Sequence, residues 1–314
     1  MITRFFRISK PFHYILFLLG LILLFFFQYS HKTGQDDLFS PLKQGLILIA
    51  FLLSLFLSVF IITKNDLTEN NSFAALYFCG LIFLTPQSLS DWEIIFSNLF
   101  VMLSFRRVFS LKTKQNLKKK YFDAALWVSI ATLFYVWSAF YFIPLLVSIV
   151  LWPKDRFKHI VVVVFGTLAV FIFDLILSIV FGFQVSILNL SLPTLNFEFS
   201  TYRAFSPLLS IALLSVMVIS ALLNFLTQLF LNNIQRKDKI LLTLMLTIGL
   251  IAPVLSTDKT LANALFLFFP LAVLMANFTE QEKTNWISNM FLFLLLAVVL
   301  LKWGFNTQSH LALS

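Results

Sequence analysis

The sequence predicts an all-α integral membrane protein with about eleven transmembrane helices. Three observations predict it. Charged residues make up 12% of the chain, hydrophobic residues 60%, and mean hydropathy is +0.92, whereas a soluble domain carries roughly 25% charged residues. Apolar runs recur between short polar loops, as in helices that satisfy their own backbone inside a bilayer. The period-two alternation of membrane barrel strands is absent.

The run Arg106–Tyr121, RRVFSLKTKQNLKKKY, holds seven Lys or Arg residues and no acid. Short basic loops of multi-pass proteins stay on the cytoplasmic side, so this run marks the inside. The net charge of +9 and pI near 9.7 then read as topology signals and headgroup contacts, and nucleic acid is not expected as a partner. A single cysteine, Cys79, excludes a disulfide framework and a cysteine metal site.

Arg4, Arg7 and Lys10 precede the first span, Phe12–Tyr29, and place the N-terminus inside. No small-residue cleavage site follows that span, so it reads as a retained helix. The loop HKTGQDDLFSP emerges outside, and Leu42–Thr63 returns. Phe73–Thr85 and Glu93–Phe105 have 13 residues each, roughly 20 Å of helix against a core of about 30 Å. They are expected as short paired helices, or as a hairpin that crosses only in part.

Phe122–Trp152 allows one long helix or two short ones that break near Trp137–Ser138. The two-helix reading keeps Lys154, Arg156, Lys158, Arg236, Lys237, Lys239 and Lys283 inside, so the positive-inside rule selects it. His159–Phe181 goes out to the longest outer loop, Gly182–Phe205, and Pro207–Leu231 returns. Ile240–Leu255, Ala264–Phe278 and Trp286–Trp303 complete the count and leave the C-terminus periplasmic. This topology leaves outside only Lys32, Lys43, Arg203, Lys259 and Lys302 of 23 Lys and Arg residues. Trp92, Trp152, Trp286 and Trp303 fall at interfaces, as belt residues do. Residues 1–314 are expected to form a single polytopic membrane domain, with no soluble domain.

The outer face then collects the acids. Asp36 and Asp37 are adjacent, and crowding raises the pKa of one, which suits a general base; such a pair can also hold a divalent metal. The plain alternative is that they favour the N-terminus of the second helix. Asp91 and Glu93 lie at a helix start, Ser90-Asp91-Trp92-Glu93, where capping also explains them. Asp174 lies fifteen residues into its span from His159, roughly 22 Å up a helix. A carboxylate there needs a polar cavity, a partner or a proton, and Ser178 is one turn away. Arg203 is the outer arginine; its guanidinium can clamp phosphate bidentately, or pair with Glu198, or snorkel to headgroups. His13, His31, His159 and His310 show no metal-ligand spacing, and no nucleotide-binding or GxSxG motif occurs.

The opening MITRFFRISKPFHYILFLL resembles the start of an uncharacterised family of bacterial multi-pass proteins. More remotely, Phe12–Tyr29, the Asp36-Asp37 loop and the later hairpins follow an order similar to that of GT-C glycosyltransferases. That resemblance implies a GT-C-like bundle in the bacterial cytoplasmic (inner) membrane. It also implies a sugar taken from a polyprenyl-phosphate donor on the outer face, with no cofactor beyond a divalent metal. Asp36 or Asp37 would act as base, and Arg203, with Asp91, Glu93 and Asp174, would contact substrate. The alternatives are a non-catalytic subunit of an envelope-assembly or secretion complex, and a lipid-linked glycan flippase. Membrane lipids are the expected partners; the sequence points to no protein partner.

Overall fold

A computed structural model describes residues 2–30, 40–89, 91–152, 155–182, 196–231, 236–256, 259–281 and 285–311. They form helices and turns, with no strand among them. In chain order these are α1 Ile2–Phe6, α2 Pro11–Ser30, α3 Ser40–Asn65, α4 Phe73–Leu84 and α5 Trp92–Phe109. There follow α6 Leu117–Phe134, α7 Phe142–Leu151, α8 Arg156–Phe181 and α9 Phe205–Leu231. The last are α10 Arg236–Gly249, α11 Ile251–Leu255, α12 Leu265–Gln281 and α13 Asn285–Leu311. Short 3-10 turns at Pro86–Leu89, Val136–Tyr141, Ser200–Arg203 and Leu261–Ala264 lie between longer helices.

Seven helical segments are long and apolar enough to cross a membrane, and Phe73–Leu84, Val136–Leu151 and Asn289–Lys302 are shorter apolar helices. The protein is a multi-pass membrane protein. Its central helix is α12, apolar on every side and wrapped along 94% of its most apolar stretch. Pro270 sits inside it, tolerated because packed neighbours surround the freed backbone group. Helix α4 packs beside it, ten of its twelve residues buried, and Tyr77 and Thr279 share a hydroxyl hydrogen bond of 2.8 Å between the two helices. Helices α2 and α8 lie outermost and leave large apolar side chains exposed, as lipid-facing helices do. Several buried hydroxyls within helices bond back one turn, as Ser54 does to Ala50 O and Ser129 to Ala125 O.

The expected break in 122–152 is present. Helix α6 ends at Phe134, the 3-10 turn Val136–Tyr141 follows, and α7 turns back. Tyr121 near the start of α6 packs against His159 at the start of α8, with ring centroids 4.6 Å apart and planes tilted by 36°. Trp152, just after α7, lies under the Lys237 ammonium at 5.5 Å. Both ends of the α6–α7 hairpin therefore reach the basic face. The expected pair of short helices needs correction: α4 is short, but α5 runs to Phe109 and belongs to a span of 22 residues. Arg106 and Arg107 continue that helix because cations favour its C-terminal turn. Arg106 lies 4.9 Å over the Phe60 ring, and Arg107 pairs with Asp123 at 2.7 Å. Within the basic run, Lys112 donates to Asn65 O and Lys120 to Ser110 O, so part of its charge also fastens the turn after α5.

Helix ends sort onto two faces. On the basic face, Thr3 N donates to Asn289 Oδ1 at 3.3 Å, and Asn71 Nδ2 to Glu280 Oε1 at 2.6 Å. On the opposite face, Lys43 at the start of α3 sits 5.4 Å over the Trp92 ring at the start of α5. There too, Ser210 on α9 and Lys302 on α13 both donate to Leu84 O at the end of α4.

Candidate functional site

The face opposite the basic run carries a polar cleft of about 640 Å³. Four pieces of chain distant in sequence build it: the start of α5 (Asp91, Trp92, Glu93, Ile94), the end of α6 (Tyr135), the strip Asn196–Thr201, and Lys259, Thr260 and Asn263. Glu93 and Glu198 are exposed at the rim, while Lys259 and Asn263 are buried in the wall.

Asp91 occupies the position before α5 in extended backbone (φ −105°, ψ 97°), yet its side chain makes no capping bond to that helix. One carboxylate oxygen instead lies 3.4 Å from Thr260 Oγ1, which donates to it. Capping therefore does not account for Asp91.

The wall is ordered by a chain of hydrogen bonds. Tyr135 OH donates to Asn263 Oδ1 at 2.7 Å, and Asn263 Nδ2 donates to Ser256 Oγ at 2.8 Å. Asn196 N donates to Leu255 O at 3.3 Å, which attaches the 196–201 strip to α11. Within the strip, Asn196 Oδ1 accepts from Glu198 N at 2.8 Å and Glu198 Oε1 accepts from Ser200 Oγ at 3.3 Å. Behind the strip, the Tyr202 hydroxyl lies 3.4 Å from both Pro253 O and Thr260 O, and burial pushes its pKa up to about 12.

Lys259 is 8% exposed, donates to Val254 O and lies 4.7 Å over the Phe199 ring. Burial lowers its pKa from the ordinary lysine value. Among the described residues no carboxylate is within ion-pair distance of it. The cleft thus presents carboxylates at its mouth and a partly desolvated ammonium in its wall, with hydroxyls and amides between. That set suits a ligand carrying both hydroxyl groups and negative charge.

Of the residues singled out from the sequence, Asp91 and Glu93 come together here, with Glu198 and Lys259. Arg203 is exposed on its 3-10 turn and does not line the cleft, and no ion pair joins it to Glu198 among the described residues. Asp174 is 8% exposed and lies elsewhere, on the buried stripe His159, Val163, Gly166, Val170, Asp174 of α8. Asp36 and Asp37 lie outside the described residues. Tyr135, Asn196 and Asn263 were not foreseen as site residues. The polar run STDKTLAN was a usable signal for Asn263, whereas nothing local distinguishes Tyr135 from the other aromatic residues of its hairpin.

No group of three or more His, Cys, Asp or Glu residues that could hold a metal ion occurs among the described residues.

Residues 1–310 match the model of a family of unknown function, DUF6427. The chain belongs to that family. No curated protein and no solved structure matches it. In this DUF6427 chain the cleft draws on residues from 91 to 263, so its components are spread through most of the matched region.

Proposed function

We propose that this DUF6427 protein is a glycosyltransferase of GT-C-like architecture that takes a sugar from a lipid-phosphate-linked donor at the outer face of the bacterial inner membrane. Eleven crossings with the basic ends cytoplasmic complete the reading. One observation carries it: Asp91, turned away from its helix, shares a membrane-surface cleft with the buried ammonium of Lys259.

In the proposed reaction an acceptor hydroxyl attacks the anomeric carbon of the donor. The bond from that carbon to the phosphate oxygen breaks, the phosphate leaves with the electron pair, and the hydroxyl proton passes to a carboxylate. Asp91 is the described residue suited to take the proton. Lys259 and Lys43, the latter beside Trp92, offset the charge on the leaving phosphate. Only Leu38 and Phe39 lie between Asp37 and Ser40 in sequence, and Lys43, near the start of α3, sits over the Trp92 ring of the cleft. The acidic pair Asp36 and Asp37 is thus a second source of the base.

The test is transfer from a radiolabelled polyprenyl-phosphate sugar in inverted and right-side-out vesicles. Asp91→Asn and the double change Asp36→Asn with Asp37→Asn are assayed separately. Loss of about 10²-fold or more in either is expected for removal of a general base. Full transfer in both variants, or no transfer by the wild type, overturns the proposal and leaves a non-catalytic membrane subunit as the reading.

A further inference from the structure

A second, separate cavity lies within the membrane-spanning part of the bundle. It is an apolar groove of about 740 Å³ between α2, α4 and α13, with some α1 contribution. Its α2 wall runs from Phe12 to Leu23, roughly 16 Å of helix. Leu19 and Leu23 on that wall are 57% and 69% exposed, so the groove is open on the outside of the bundle.

A buried cation lies just beyond one end of the groove lining. Its α13 wall is the stripe Leu292, Leu295, Leu296 and Val299. Continuing that helical spacing, the next position on the same face is Lys302. Phe83 closes the groove on α4, and the next residue, Leu84, gives its carbonyl to Lys302. Lys302 is 3% exposed; its ammonium donates to Leu84 O and Ser210 Oγ, both at 2.7 Å, which occupies two of its three protons. No described carboxylate is within ion-pair distance of it. A cation buried in a bilayer protein without a counter-ion is costly. The negative end of α4 offsets part of that cost, and a phosphate at the same end of the groove would offset more.

We infer that the groove holds one acyl chain of an anionic phospholipid from the surrounding bilayer, with its phosphate at the Lys302 end. The apolar wall takes the chain, and the ammonium selects phosphate-only headgroups over zwitterionic ones. This inference is independent of catalysis in the polar cleft, since the two sites share no lining residue.

Full-length protein in detergent is titrated with phosphatidylglycerol or phosphatidylcholine, and retained lipid is counted by native mass spectrometry. One phosphatidylglycerol per chain is expected, preferred about fivefold, the factor that one lysine contributes near an anionic lipid. Lys302→Gln removes the preference while chain binding persists. Filling the groove with Leu19→Trp and Leu296→Trp abolishes retention of both lipids. Leu294→Trp, on α13 but outside the groove, is the folding control and retains lipid as the wild type does. Equal retention of the two lipids by the wild type, or undiminished retention by the filled variant, overturns the inference.

Discussion

Asp91 and Tyr202 show how single side chains define the cleft. A carboxylate before a helix ordinarily bonds to the first free amides; Asp91 keeps that backbone position and gives its side chain to Thr260. Tyr202 acts from behind, placing its hydroxyl between the carbonyls of Pro253 and Thr260. Its pKa is raised from 10.0 to about 12 by burial. The folded protein holds the phenol protonated after an unfolded tyrosine has ionised. Its stabilising contribution is therefore whole below pH ~10 and is lost as pH rises through about 12. Alkaline titration of tyrosinate absorbance, wild type minus Tyr202→Phe, should show one component near pH 12. A difference component at the ordinary tyrosine pKa would contradict this placement.

At the scale of elements, small residues decide how closely helices approach. A Cβ at Gly166 would lie 2.8 Å from Phe122 O and 3.0 Å from the Ala125 side chain, and the first of these contacts is with backbone. Helix α8 can therefore lie on α6 only with glycine there. Gly166→Val should lower stability by about 1–3 kcal/mol through overpacking, read as a fall in Tm in detergent. Gly45 is the opposite case: a Cβ there meets nothing within 4 Å, and it lies inside α3. Gly45→Ala should raise stability by about 0.5–1 kcal/mol, because glycine gives up more backbone entropy in a helix. If both variants melt alike, the close α6–α8 contact is not what limits stability.

For the whole molecule, the prediction concerns sidedness. Cys79 is 3% exposed, so it stays silent toward water-soluble reagents and added thiols can be read alone. Gln115, in the basic run, and Thr201, in the cleft, are both exposed. In intact cells a membrane-impermeant maleimide should label Thr201→Cys and leave Gln115→Cys unlabelled until the cells are opened. The reverse pattern would put the cleft in the cytoplasm and remove the basis for an outer-face transferase. The same experiment at Phe140→Cys, an exposed position in the 3-10 turn of the α6–α7 break, extends the test to the hairpin.

Much of this architecture was legible in order along the chain. Apolar runs located the spans, because a bilayer demands about twenty consecutive apolar residues wherever a helix crosses it. Charge bias resolved 122–152 into two helices, and the break at Tyr135–Tyr141 includes the expected position, Trp137–Ser138. The end of α5 was not legible, because Arg106 and Arg107 read as loop until Phe60 and Asp123 are seen to receive them. The cleft was legible only in part. Asp91 and Glu93 stand out as acids on the face expected to be outer, but the contact from Asp91 to Thr260 spans 169 positions of sequence.

The sequence by itself determined that this is a multi-pass helical membrane protein, since hydropathy and charge act locally and each span reports its own solvent. It also supplied an expectation of which helix ends share a face, because each crossing reverses the chain. Tertiary structure alone decided which polar residues meet. Asp91, Tyr135, Asn263 and Lys259 are brought together by packing around α12 and α4, and packing depends on side-chain fit between helices rather than on any helix's own composition. The same packing separated Asp174 and Arg203 from the cleft and gave Lys302 to the end of α4.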